Sequence, residues 1–284
     1  MKQRENFSAL LLVTAALLAG CGGAEGWDEE PLGEARGELL NPNALSPDAL
    51  NAAVLTDTGA GGGEPLHMNA LSPDALNAVA PAALNDPGRL GDLTRQLMKY
   101  ALECALDPSQ SFTFSWTDGQ GVVHPEAYRG LVGIEPKWLL YPLTEKGQAW
   151  VSACIASRVN WYGLSLTISA RSAHPRLNPT TSAELSNYTM REGAFWGNLF
   201  VQNPHLHACY YAPNIAHSRS RLRDCATGHL DPATNTVEDC GILDVVGSCA
   251  DHCDPIITLG TSYPGCSHDS GGETIKQVVT AYLQ

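Results

Sequence analysis

Apolar positions recur at intervals of three and four from Leu90 onward. Leu90, Leu93, Leu97, Ala101 and Cys104 share one face of a helix. Phe112, Phe114 and Trp116 then alternate with Ser and Thr, the pattern of a half-buried strand. Asp118-Gly119 turns the chain, and Val122-Val123 begins a returning strand. Thr144 is placed to cap a second helix whose apolar positions are Trp150, Val151, Cys154, Ile155 and Val159, with Asn160 as its stop. Leu164, Leu166, Ile168 and Ala170 alternate as another strand. Residues 193–201 are apolar on both faces, as a central strand requires, and 242–246 and 275–283 read as strands too. Helices and strands do not alternate strictly. The pattern predicts an α+β domain over 89–284, with a mainly antiparallel sheet and two main helices.

Ahead of this domain the pattern is different. Lys2 and Arg4 precede a short apolar run, Ala9 to Leu18, which ends in Leu18-Ala19-Gly20-Cys21. The run is too short to span a bilayer as a stable helix, and no later stretch reaches about 18 apolar residues. The segment resembles the lipobox of bacterial lipoproteins, where small residues admit the signal peptidase just before a cysteine. The resemblance implies removal of residues 1–20, a diacylglyceryl group on Cys21 and acylation (palmitate among the usual chains) of its new amine. Each buried methylene contributes about 0.8 kcal/mol, so several acyl chains hold a protein durably where one would be marginal. Gly22 stands where enteric lipoproteins kept in the inner membrane carry Asp, which points to the outer membrane.

Residues 21–88 read as a disordered tether. After Cys21 they hold 11 acidic residues and one basic one, Arg36. The signal segment carries +1 and the tether −10, which leaves −4 of the total −13 for 89–284. A chain so acidic lacks the basic surface that nucleic acid demands. Ten residues, Asn43 to Ala52, recur unchanged as Asn69 to Ala78, with Gly-rich 59–63 between them. Ser-Pro-Asp-Ala-Leu in each copy is a helix start, with Ser at the cap and Pro at the first helical position, yet helices of a turn or two are marginal alone. The composition predicts a spacer with nascent turns, spanning roughly 45 Å if flexible.

Eight cysteines follow: Cys104, Cys154, Cys209, Cys225, Cys240, Cys249, Cys253 and Cys266. An even count in an exported domain implies four disulfides. Cys104 and Cys154 lie on the apolar faces of the two main helices, so a bridge between them is expected. The other three bridges are expected within 209–266, with Cys249 and Cys253 choosing different partners.

The whole chain resembles a group of lipoproteins associated with myxobacteria, which share a lipobox, an Asn/Ala/Leu/Pro-rich repeat tether and a Cys-rich C-terminal domain. Phe114-Ser115-Trp116-Thr117-Asp118, Trp150-Val151-Ser152-Ala153-Cys154 and 192–200 carry the likeness. It implies an envelope location and this domain layout, and it transfers no catalytic residue.

Three patterns suggest chemistry. Cys266-Ser267-His268-Asp269-Ser270-Gly271-Gly272 resembles the nucleophile segment of trypsin-like proteases, and Ala250-Asp251-His252-Cys253 their histidine segment. The Gly expected two before the serine is absent, and His252 and Ser270 are only 18 positions apart. A polar turn is the expectation there. His205, His207 and Cys209 alternate, and His252 adjoins Cys253, which is a possible zinc set. In an oxidising compartment the thiols pair with each other instead, so neither metal nor cofactor is expected. Glu126 and Glu192, each near aromatic residues, are the carboxylates a glycosidase would need, but such aromatics at strand spacing read as core. His217 with Arg219, Arg221 and Arg223 reads as a solvated helix face.

These observations predict a lipid-anchored cell-envelope protein that displays a non-enzymatic binding or structural domain. Its expected partners are the membrane, through Cys21, and an envelope or extracellular protein or glycan. The alternative is an envelope-tethered hydrolase of glycan or peptide.

Overall fold

The computed structural model describes residues 38–39 and 86–284, apart from 165, 179–180 and 258–259. The first main helix, α1 (Arg89–Ala105), and the second, α2 (Glu145–Ser157), occupy the predicted positions. Thr144 caps α2 as its position foretold, its side-chain oxygen accepting from the Gly147 amide at 3.1 Å. Between the helices, β2 (Ser111–Thr117) and β3 (Val123–Arg129) form a two-stranded antiparallel hairpin. The Asp118 turn closes it: the Asp118 amide donates to the Val122 carbonyl, and Asp118 Oδ1 accepts from the Gln120 and Val122 amides.

The main sheet has six strands in the order β1-β4-β10-β5-β6-β9. They are β1 (Glu38–Leu39), β4 (Ile168–Arg171), β5 (Met190–Asn198), β6 (His205–Tyr210), β9 (Leu243–Ser248) and β10 (Val279–Leu283). Every pairing is antiparallel except β6 with β9. A small ladder of β7 (His229–Leu230) and β8 (Val237–Glu238) stands apart. Short helices α3 (Ser182–Asn187), α4 (Ile215–Ser220) and α5 (Cys249–His252) punctuate the loops. The fold is therefore α+β, with a mainly antiparallel sheet and two main helices.

β5 shows why its sequence has no polar side. Phe195 belongs to the large core with α1 and α2, whereas Ala194 and Trp196 belong to a second cluster with Cys209, Cys249, Tyr263, Cys266 and Val278. Successive residues of a strand point to opposite faces, so a sheet covered by helices on one face and by the C-terminal loops on the other must be apolar throughout. β10, though last in the chain, enters between β4 and β5.

Four disulfides staple the domain. Cys104–Cys154 joins α1 to α2 at a Cα separation of 6.0 Å. Cys209–Cys249, Cys225–Cys240 and Cys253–Cys266 all lie within 209–266, and Cys249 and Cys253 take different partners.

Some expectations need correction. Leu164 and Leu166 lie before β4, because the chain is still turning there: the Asn160 side-chain amide donates to the Leu164 carbonyl at 2.8 Å. Ile275 is not part of the last strand. It bridges to Cys266 through reciprocal backbone hydrogen bonds, and β10 begins only at Val279. His205, His207 and Cys209 alternate along β6, as residues of one strand face do. Glu38–Leu39 pairs with Ser169 and Ile168 on β4. Cys21 and both repeat copies lie outside the described residues. Among the described residues, no helix is long and apolar enough to cross a membrane.

Candidate functional site

The site is built by strand register. On β5, β6 and β9, Trp196 pairs with His207 and His207 with Asp244, so three neighbouring strands set these side chains in one row. They share the face that carries Ala194 and Cys209 and points away from the two main helices. The strands approach closely because Gly197 faces Leu206 with φ +126°; a Cβ there would stand 2.3 Å from the His205 carbonyl oxygen. The fourth member arrives by a different route. The Cys253–Cys266 bridge and the backbone bond from the Ser267 amide to the His252 carbonyl hold the loop that presents His268. Cys209–Cys249 fixes β6 two residues from His207.

Asp244 Oδ2 is the meeting point. His268 Nε2 hydrogen-bonds to it at 3.1 Å, and His207 Nδ1 lies 3.4 Å from it, outside hydrogen-bond geometry. One nitrogen or oxygen donor atom from each of the three residues lies within 4.8 Å of the other two. His268 Nδ1 is 3.0 Å from Asp269 Oδ1, so this imidazole stands between two carboxylates. Burial holds the His207 imidazole below its ordinary value, and the neighbouring His268 and His205 add to this while Asp244 opposes it. His207 Nδ1 and Trp196 Nε1 are both buried without a hydrogen-bond partner.

His207 and His268 also line a cleft of about 680 Å³, together with Trp196, His205, Asp269 and Lys276. Its volume falls in the range of small-molecule sites, about 300–1,000 Å³. Imidazole, carboxylate and ammonium groups line it, so it can hold a polar ligand.

The residues singled out in the sequence distribute differently. His205 and His207 do share β6, but His205 stands outside the trio, with Nδ1 3.1 Å from the Asn203 carbonyl. Cys209, Cys253 and Cys266 converge as well, yet each is already in a disulfide. His252 Nδ1 lies 3.2 Å from the Ser267 carbonyl, while Ser270 donates to the Asp251 carbonyl at 3.3 Å. Glu126 accepts from Trp116 Nε1 at 3.1 Å, and Glu192 is buried against Arg223. The last pair corrects the reading of the arginine cluster. Arg223 has no exposed surface, because the chain leaves α4 at Ser220 and turns inward before it. Asp244 was missed: it lies in a stretch read as a strand, and nothing local marks its partners.

Comparison with family models, with curated proteins and with solved structures finds no match to this chain.

Proposed function

We propose that the protein is a lipid-anchored cell-envelope protein, tethered through Cys21, that displays a disulfide-stapled binding domain and takes its ligand in the cleft beside Trp196 and His207. The observation that carries this reading is the cleft itself. Imidazole, carboxylate and ammonium groups converge on one cavity of about 680 Å³. Two of the four bridges, Cys209–Cys249 and Cys253–Cys266, hold the elements that line it. Disulfides suit an oxidising compartment, which is where a lipobox would deliver the chain. The partner is an envelope or extracellular molecule, protein or glycan, reached from the membrane by the acidic segment. The hydrolase alternative rested on His252 with Ser270 and on Glu126 with Glu192, and these groups are engaged in separate structural bonds.

The test is lipid labelling with fractionation. Metabolic labelling with a palmitate analogue should mark the mature protein in the membrane fraction, and C21S should abolish both the label and the membrane association. A free Cys21 thiol in the mature protein, or an uncleaved start, overturns the anchor.

A further inference from the structure

We infer that His207, Asp244 and His268 form a binding site for one divalent transition-metal ion of the zinc type, at the wall of the cleft. The inference rests on the reading of that cleft as the binding site and adds what it binds.

The donor set has the right chemistry. Two imidazoles and one carboxylate are borderline ligands suited to zinc, whereas calcium and magnesium prefer sites made of oxygen. None of the three residues is a cysteine, so the oxidising conditions that consume thiols leave this set intact. The geometry agrees as well. In a tetrahedral site with ligands at roughly 2.0–2.1 Å, neighbouring donor atoms stand about 3.3 Å apart. Two of the three edges are already near that length, at 3.1 Å for His268 Nε2 to Asp244 Oδ2 and 3.4 Å for His207 Nδ1 to the same oxygen.

The surroundings point the same way. His207 Nδ1 is buried with no hydrogen-bond partner, although a carboxylate oxygen lies 3.4 Å away. A lone pair directed at a cation between the two atoms explains that arrangement. Asp269 beside His268 Nδ1 stands where histidine ligands usually have an orienting carboxylate, which keeps the proton on Nδ1 and frees Nε2 for the metal. Three protein ligands leave a tetrahedral ion one position short, and the cleft supplies room for a fourth ligand from outside.

The competing account is that His268 merely bridges Asp244 and Asp269. Zinc titration decides between them. The full-length, oxidised protein, purified in detergent and stripped with a chelator, is titrated calorimetrically with Zn²⁺, and the Co²⁺ complex is read by absorption. The expected result is one Zn²⁺ per chain and a visible cobalt band of tetrahedral intensity. D244A and H268A should weaken binding at least tenfold, H207A likewise, and H217A, outside the cleft lining, should leave it unchanged. Asp244 and His268 are about half exposed, at 47% and 52%, so their variants keep the fold even if H207A does not, and circular dichroism verifies this. Failure to bind one Zn²⁺, equal affinity in D244A and H268A, or Ca²⁺ binding as tight as Zn²⁺ overturns the inference. Lipid labelling at Cys21 is unaffected by any of these outcomes, so the anchor and the metal site stand or fall separately. A second ligand entering the cleft of a zinc-free protein would retain the binding reading while removing the ion.

Discussion

Arg223 Nε donates to Glu192 Oε2 at 2.8 Å, and neither side chain has any exposed surface. The same guanidinium donates to the Val159 carbonyl at 3.1 Å and to the Ser157 carbonyl, which ends α2. One side chain therefore ties β5 to the carbonyls that a helix C-terminus leaves unpaired. Burial pushes the Glu192 carboxyl upward, and Arg223 pulls against it. Removing one partner strands a buried charge, which usually costs about 3–5 kcal/mol. R223M should lower stability by that order in urea unfolding with the disulfides intact. The double variant E192Q/R223M should be less damaged than R223M alone, and a midpoint for R223M matching the wild type contradicts the role given to this pair.

Cys104–Cys154 closes a loop of 50 residues between the two main helices. By the chain-entropy model a loop of that length contributes on the order of 4 kcal/mol. C104A/C154A should unfold at a correspondingly lower urea concentration than the wild type under oxidising conditions. Adding a reductant should erase most of the difference between the two proteins. A double variant as stable as the wild type before reduction would remove this bridge from the account.

His174 lies edge-on to Trp150, with ring centroids 5.2 Å apart. Burial, then Lys146 and Arg176, lowers its pKa from 6.5 to about 4. The neutral form is thus favoured in the folded state. Between pH 6.5 and about 4 the unfolded chain takes up a proton that the folded chain refuses, so stability falls as pH drops through that window and levels off below it. The ring is partly exposed, and solvent screening reduces the effect to about 1–2 kcal/mol. H174Q should flatten that part of the stability profile, read as the difference in urea midpoint between pH 7 and pH 4.5. An unchanged slope in H174Q places the pH dependence elsewhere.

Gly193 pairs with Tyr210 across β5 and β6, and a Cβ at this position would stand 2.0 Å from the Cys209 carbonyl oxygen. Backbone cannot swing aside as a long side chain can. G193A should therefore force the two strands apart and lower stability by about 3 kcal/mol, the upper range for overpacking. Because β6 carries His207, the same variant should also weaken zinc binding. Thermal unfolding and the zinc titration measure the two effects on one sample.

What the sequence by itself determined is local. The three-and-four spacing of Leu93, Leu97, Ala101 and Cys104, and the Thr144 cap, mark out α1 and α2 because helical periodicity and capping depend on neighbours within one turn. The alternation around Phe114 and the turn at Asp118 mark the β2–β3 hairpin for the same reason. Even Cys104–Cys154, though 50 residues apart, was legible, since each cysteine sits on an apolar face that must be buried and the two main helices are the faces available. Only the tertiary structure decided the rest. Arg223 stands two residues from Arg221 and reads as one more surface charge until its partner on β5 is known. His207, Asp244 and His268 span 61 positions, and they meet because strand register and a disulfide-held loop place them together. Register is a property of the whole sheet: a slip of one residue would turn His207 toward the helices and Asp244 with it, and no local pattern in either strand specifies which alignment the packed core selects.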